Sequence, residues 1–336
     1  MPNIRDVAAR AGVSIATVSR ILSEDTTYRT RPETRERVYQ AVHELGYQYR
    51  YITRDPKVGA PSSKRIGCVL AETVEKYSDP YFTSILSALE NRMIEHGYVI
   101  SAIRNLKDLM NPKVLEETFS QGLCGLVLME QLPDEMYAYI KEYVPYIVGC
   151  DTQYPELDNV GVDNFRACFT AFSYLLDRGY RRICYMGGAS LERSFHETIP
   201  ASAIHLALSL RGIPFDPDLI VYCGWDLENC AEETRRMLDS AHPPDAFFAG
   251  SDSMASVILN QAHNMGRKVP DEVGVVGINN TSFSAYTIPP LTTISIPTQD
   301  IGIATADRLV ARMNGDTSNW HDLVFSTELI VRASTR

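Results

Sequence analysis

The sequence predicts a small all-α headpiece of the helix-turn-helix kind, joined to an α/β body of two lobes built on parallel sheets. Three observations carry this expectation. Two short amphipathic stretches meet at a glycine within the first 22 residues, and a third amphipathic stretch follows. From residue 65 onward, short apolar runs alternate with amphipathic helices in two successive series. Charge is also divided unequally: residues 1–65 hold 12 Lys and Arg against 7 Asp and Glu, although the whole chain has a net charge of −10. A basic head on an acidic body suits a protein that sets only its head against phosphates.

At 336 residues the chain has room for two or three compact domains. A composition that is 45% hydrophobic and 22% charged supplies a core and argues against disorder. No run approaches the roughly 18 uncharged apolar residues of a membrane span, and the N-terminus lacks the apolar stretch of a signal peptide, so a cytoplasmic location is expected. The seven cysteines (Cys68, Cys124, Cys150, Cys168, Cys184, Cys223 and Cys230) are odd in number and include no Cys-x-x-Cys pair. Reduced, mostly structural thiols are therefore expected, rather than disulfides or a zinc site. No dinucleotide glycine fingerprint, phosphate-loop lysine, His-Glu-x-x-His or Gly-x-Ser-x-Gly occurs, and the seven histidines form no ligand-spaced group. Neither an enzyme nor a metal or cofactor is expected.

The first helix is expected from Ile4 to Ala11, with Ile4, Val7, Ala8 and Ala11 on one face. Gly12 follows where the helix must stop. Ser14 is placed to cap a second helix, Ile15 to Leu22, whose Val18, Ile21 and Leu22 pack back on the first. A third, Pro32 to Leu45, turns Val38, Ala41, Val42 and Leu45 inward and has Pro32 at its first position. Two short helices joined by a glycine turn and braced by a third are the helix-turn-helix plan. Three ordinary core helices would show the same periodicity. The polar face of the second helix would present Ser14, Ile15, Ala16, Thr17, Ser19 and Arg20, of which hydroxyls and arginine suit phosphates and Ile15 and Ala16 suit thymine methyls.

The run Val-Ala-Ala-Arg-Ala-Gly-Val-Ser-Ile-Ala-Thr-Val-Ser-Arg (7–20), with Glu-Leu-Gly-Tyr (44–47) closing the third helix, resembles the headpiece of the LacI–GalR repressor family. The resemblance implies that the second helix docks in the major groove of double-stranded operator DNA and that Ile15 and Ala16 set operator preference. Asn3, Thr34 and Arg50 complete the expected DNA-binding set. The family's linker continues as a hinge helix whose leucine wedges into the minor groove. Here Pro56 stands roughly where that leucine would be, and a proline disfavours a helix through it. Two readings stay open: a shortened helix over Tyr49 to Arg54 with Tyr51 or Ile52 as wedge, or a tether contributing only the charges of Arg50, Arg54 and Lys57.

In the body, the first series of apolar runs is Ile66–Ala71, Tyr98–Ile103, Gly125–Met129 and Tyr146–Cys150. The second is Ile183–Met186, Ile220–Tyr222, Ala246–Ala249 and Val273–Val276. Helical stretches such as Tyr81–His96, Phe165–Arg178 and Ser253–Met265 lie between them. That alternation means parallel sheets covered by helices. A strand at Leu291–Ile296, a helix from Thr298 to Asn314 and one final strand around Leu323–Ile330 complete the chain. Asn-Val-Gly-Val-Asp-Asn (159–164), Gly-Ser-Asp-Ser-Met-Ala (250–255), Ile-Pro-Pro-Leu-Thr-Thr-Ile (288–294) and the terminal Arg-Ala-Ser-Thr-Arg also resemble the family. They imply a type I periplasmic-binding-protein-like sensor whose C-terminal chain crosses back between the lobes. The expected division is a headpiece over 1–47, a linker over 48–64 and a body over 65–336. Lobe 1 takes about 65–160 and 295–322, and lobe 2 about 161–290 and 323–336.

Sugar sites combine carboxylates or amides with an aromatic face. By family position the effector candidates are Tyr81, Phe82, Asp151, Trp225, Asp252 and Asn279. Each has a plainer reading: Asp151, Asp163 and Asp252 as caps, Trp225 as surface packing, and Asn279-Asn280 as a turn. The family's effector-binding arginine should fall near Pro200, and no arginine is there; Arg193 lies seven residues earlier. The resemblance as a whole implies a homodimeric transcriptional regulator reading a pseudo-palindromic operator. A small molecule, favoured as a galactoside-type sugar, would relieve repression; a non-sugar effector or activation is the alternative. A transport-type sugar-binding protein shares such a body but has no DNA-binding head. No leucine-heptad tail for tetramers occurs, so a dimer is expected.

Overall fold

The structure is a computed structural model and describes residues 4–22, 30–45, 64–70, 79–120, 122–188 and 199–336. The chain divides into two compact units, Met1–Gly59 and Ala60–Arg336. Among the predicted site residues, Asn3 and Arg50 lie outside the described residues, as do Pro56, the hinge segment and Arg193.

The first unit contains α1 (Ile4–Ala11), α2 (Ile15–Leu22) and α3 (Pro32–Leu45). Its core is Val7, Ala8, Ala11, Val18, Ile21, Val38 and Ala41, with Val13, Val42 and Leu45 partly buried against it. These are the faces that the 3.6-residue period selects. Gly12 adopts φ 66, a left-handed conformation that favours glycine, and the Val13 N–H closes on the Ala8 carbonyl at 3.0 Å.

The second unit begins with β1 (Arg65–Leu70), α4 (Pro80–Glu95), β2 (Val99–Asn105), α5 (Leu106–Leu109), α6 (Pro112–Phe119), β3 (Gly125–Leu128), α7 (Asp134–Tyr143), β4 (Ile147–Cys150) and β5 (Asp158–Val162). It continues with α8 (Asn164–Asp177), β6 (Ile183–Gly187), α9 (Ile199–Ser209), β7 (Ile220–Tyr222), α10 (Leu227–Leu238), β8 (Ala246–Ala249), α11 (Asp252–Asn264) and β9 (Gly274–Asn279). The last elements are β10 (Thr292–Ser295), α12 (Thr298–Met313), β11 (Asp322–Phe325) and β12 (Glu328–Ile330). Two six-stranded sheets result, in the orders β11-β5-β4-β3-β1-β2 and β12-β10-β9-β8-β6-β7. Every pairing is parallel except β10 with β12. Strands such as β3 and β8 are buried at every residue, which is why they read as unbroken apolar runs instead of alternating ones.

Two expectations need correction. The stretch 159–164 was expected only as a family motif, yet most of it is a strand, β5. The single strand expected over Leu323–Ile330 is two strands in different sheets. β11 runs parallel to β5, and after Ser326 and Thr327 β12 pairs antiparallel with β10. Phe325 is thus the last residue of the first sheet, three residues beyond the expected boundary, and β10 belongs to the second. The cause is partnership over long distances: β11 finds its hydrogen bonds some 160 positions upstream, where no local signal points. The chain passes between the sheets three times, at Asp163, at 296–297 and at 326–327.

α12 returns to the first sheet and lies along α4. The approach requires Gly302, because a Cβ there would come within 2.5 Å of the Ile85 carbonyl oxygen. Ion pairs from Arg308 and Arg312 to the buried Asp158 fasten α12 to β5. Among the described residues, all seven cysteines are free and buried, no helix is long and apolar enough to cross a membrane, and no group of three or more His, Cys, Asp or Glu is placed to hold a metal ion.

Candidate functional site

In the first unit, Ser14 ends the glycine turn and caps α2. Its Oγ accepts the Thr17 N–H at 3.1 Å and lies 2.9 Å from Thr17 Oγ1. Capping fixes the start of the helix, so Ile15 stands at its first turn with 45% of its surface exposed. A large apolar side chain held in solvent beside hydroxyls suits the thymine methyl and phosphate edges of a groove. Arg20 is exposed on the same helix, and Thr17 is half-buried. Ala16 and Ser19 fall within α2, and Thr34 is half-buried in the first turn of α3.

In the second unit the candidates gather at the carboxyl ends of strands, where ligands of open α/β sheets bind. Asp79 caps α4, accepting the Tyr81 N–H at 2.8 Å, with Pro80 at the first helical position. This sets Tyr81 so that its phenol donates to Asp151 Oδ2 at 3.1 Å. Phe82 packs edge-on against the Tyr81 ring at 5.0 Å. Asp151 follows β4, and its other oxygen accepts from Asn164 Nδ2, at the start of α8, at 2.9 Å. Burial of the carboxyl raises its pKa, while the bonds from Asn164 and Tyr81 hold the rise back. A carboxylate with two donors on one edge keeps acceptor capacity for ligand hydroxyls.

The second sheet supplies the other group. Trp225 follows β7 and lies across Gly188 and Gly250, just beyond β6 and β8; a Cβ on Gly188 would come within 2.0 Å of the indole. The residue remains 41% exposed. Asn279 ends β9, is half-buried, and its side-chain amide has no hydrogen-bond partner among the described residues. Only four non-glycine residues among those described have a left-handed backbone: Asp151 (φ 59), Trp225 (φ 59), Asn279 (φ 109) and Asn280 (φ 50). Three of them belong to the effector set read from sequence. Strained backbone of this kind clusters where proteins bind ligands.

Asp252 is different, and its expected contact with an effector is corrected. Its side chain is fully buried, and both oxygens are occupied within the protein. Oδ1 accepts from Thr293 Oγ1 at 2.5 Å, and Oδ2 from the Thr281 N–H at 2.7 Å and Thr281 Oγ1 at 3.0 Å. Nor does it cap α11, a role taken by Ser251 Oγ, which accepts the Met254 N–H. Burial pushes the Asp252 carboxyl up to about 6, against the pull of those three hydrogen bonds. Asp163 does cap α8, accepting the Arg166 N–H at 2.8 Å. Asn164, Gly188 and Thr281 were not anticipated as site residues, and Asn280 was anticipated only as half of a turn. The pair Asn279-Asn280 carried a usable signal, since asparagine tolerates positive φ better than other side chains.

Residues 3–49 match the model of bacterial regulatory proteins of the lacI family, and residues 172–335 match a periplasmic binding protein-like domain. The HTH-type transcriptional repressor CytR of Escherichia coli (strain K12) is 30% identical over 341 residues, covering 99% of this chain and 96% of that protein. Among solved structures, a transcriptional regulator CelR–cellobiose complex is 26% identical with a TM-score of 0.72, covering 99% of this chain and 100% of that one. The lac repressor dimer bound to operator and the anti-inducer ONPF shares the fold, with a TM-score of 0.70 at 22% identity and 99% coverage of both chains. Headpiece, two-sheet body and full-length similarity agree, and the chain belongs to the lacI family of bacterial regulatory proteins.

Proposed function

We propose that this protein is a dimeric transcriptional repressor that reads a pseudo-palindromic operator with one α2 per half-site and releases it when a neutral sugar, favoured as a galactoside, occupies the body. The observation that carries the effector half is the coincidence of left-handed backbone at Asp151, Trp225 and Asn279, each at a strand's carboxyl end. A carboxylate, an amide and a half-exposed indole are the groups that chelate sugar hydroxyls and cover the C–H face of a ring. The CelR relative was solved with cellobiose and the lac repressor as a dimer on operator, which supports both halves. Ser14, Ile15, Thr17 and Arg20, with Ala16, Ser19, Thr34, Asn3 and Arg50, would contact DNA. Tyr81, Phe82, Asp151, Trp225 and Asn279 would contact the effector. Binding shifts the lobes between two states with different operator affinity.

The test is fluorescence anisotropy of the full chain on its own upstream promoter DNA, with lactose, melibiose, galactose and cellobiose. Specific, salt-sensitive binding released by a galactoside is expected. Release by cellobiose alone would move the effector to another sugar class. Binding that no sugar alters would overturn the sugar assignment and leave a non-sugar effector, in keeping with the absence of arginine near Pro200. No specific binding would overturn the repressor reading.

A further inference from the structure

The terminal motif Arg-Ala-Ser-Thr-Arg and the aspartate of Gly-Ser-Asp-Ser converge on one turn. Asn279 and Asn280 are consecutive left-handed residues, a conformation that side chains resist and that persists only where the surroundings enforce it. Asp252 enforces it from beneath. It takes both the backbone N–H and the hydroxyl of Thr281, while its other oxygen is tied to Thr293 on β10. Arg332 enforces it from the flank, donating from Nη2 to Asn280 Oδ1 at 2.7 Å and from Nη1 to the Leu291 carbonyl at 2.7 Å and Ser284 Oγ at 3.2 Å. Asn280 completes its own bonding through Nδ2 to Ser295 Oγ at 3.2 Å.

Arg332 is itself immobilised. Its N–H donates to Thr292 Oγ1 at 2.9 Å, and two residues on, the fully buried Ser334 donates to the Val275 carbonyl at 2.6 Å and accepts the Thr292 N–H at 2.8 Å. The segment lies just past β12, which begins three residues after Phe325, the last residue of the first sheet. Both oxygens of Asp252 and both terminal nitrogens of Arg332 are bonded within the protein, whereas the adjacent Asn279 amide has no partner among the described residues.

We infer that Asp252 and Arg332 are positioning residues for effector recognition: a clamp of opposite charges that holds the Asn279–Thr281 turn so that Asn279 faces the ligand, anchored through Arg332 to the crossover between lobes. The inference rests on the reading of Asn279 as an effector contact. If the clamp acts as stated, Arg332→Ala raises the sugar concentration for half-release of operator at least tenfold, and sugar-free operator affinity stays within about twofold. Adding Asn280→Gly to that variant restores part of the response, because glycine accepts the left-handed conformation without being held.

A readout that needs no effector separates this inference from the reading beneath it. Hydrogen–deuterium exchange of the full-length protein is expected to quicken at least tenfold over 279–284 in Arg332→Ala while β8 and the core of β9 keep their protection. Arg332→Lys, which retains charge but not the fork, serves if the alanine variant fails to fold; a smaller increase confined to the same segment is expected. Unchanged exchange over 279–284 overturns the clamp. So does loss of protection throughout the second sheet without rescue by Asn280→Gly, since that marks a residue needed only for folding. A selective change at 279–284 with no response of operator binding to lactose, melibiose, galactose or cellobiose upholds the clamp and refutes the sugar reading.

Discussion

The Tyr81 phenol and the Asp151 carboxylate meet at 3.1 Å across 70 positions of chain, joining the first turn of α4 to the end of β4. The bond stabilises the ionised form of a carboxyl whose burial pushes its pKa up. Tyr81→Phe removes a hydrogen bond to a charged group, worth about 1.5–3 kcal/mol, so the effector concentration for half-release should rise roughly tenfold or more. A raised pKa means the carboxylate is lost as pH falls, and the variant should lose it sooner. The deficit is therefore expected to widen as pH falls, as measured by operator release titrated at each pH. A deficit independent of pH would show that the phenol acts through packing.

The indole of Trp225 occupies the space above Gly188. Gly188→Ala places a methyl group inside that ring's volume, so the ring must leave its site. Effector response should fall at least tenfold, with operator affinity in the absence of effector retained. Tryptophan emission, recorded with Trp320→Phe so that Trp225 is the single remaining tryptophan, should shift as the ring moves into solvent. An unshifted spectrum with a normal response would show that the loop after β6 gives way instead.

Asp158 is a buried carboxylate held by two arginines. Arg312 reaches it through Nε at 2.6 Å and Nη2 at 3.0 Å, Arg308 through Nε at 2.7 Å, and the His321 N–H adds a bond at 2.8 Å. Burial alone would raise its pKa, but the arginine and backbone bonds prevail and lower it from 3.8 to about 2. A depressed carboxyl contributes stability that is full above its unfolded pKa and is lost as pH falls through the folded one. About 2 kcal/mol should therefore disappear between about pH 4 and pH 2. Asp158→Asn leaves the buried Arg312 without its counter-charge and should cost about 3–5 kcal/mol in denaturant unfolding at neutral pH. A cost under 1 kcal/mol would mean that the carbonyls of Asp316, Ser318 and Asn319, which also accept from Arg312, suffice.

Ser14 supplies the cap that sets where α2 begins. Ser14→Ala should destabilise the headpiece by about 1 kcal/mol. It should weaken operator binding several-fold, because Ile15 and Thr17 lose their fixed presentation. Effector binding to the body should not change. Equal loss on specific and non-specific DNA would reduce Ser14 to a phosphate contact.

Local pattern made much of this legible. The faces of α1, α2 and α3, the glycine turn and the fully apolar strands all follow from side-chain periodicity and from groups that only neighbouring residues need satisfy. Candidates at strand ends were legible for a related reason. The chain must turn sharply where a parallel strand ends, and Asp151, just after β4, Trp225, three residues past β7, and Asn279, the last residue of β9, do so in the left-handed region.

What the sequence by itself determined, then, is most of the elements and their order, and the class of surface that each domain presents. Tertiary structure alone decided which groups remain available for a ligand. Asp252 and Asn279 looked equivalent as polar residues at strand ends, yet packing seals the first beneath Thr281 and Thr293 and leaves the amide of the second without a partner among the described residues. The same holds for β11 and β12, which read as one strand and belong to two sheets. Hydrogen-bond satisfaction of a buried group is settled by whatever the fold brings against it, and here the partners lie tens to more than a hundred residues away.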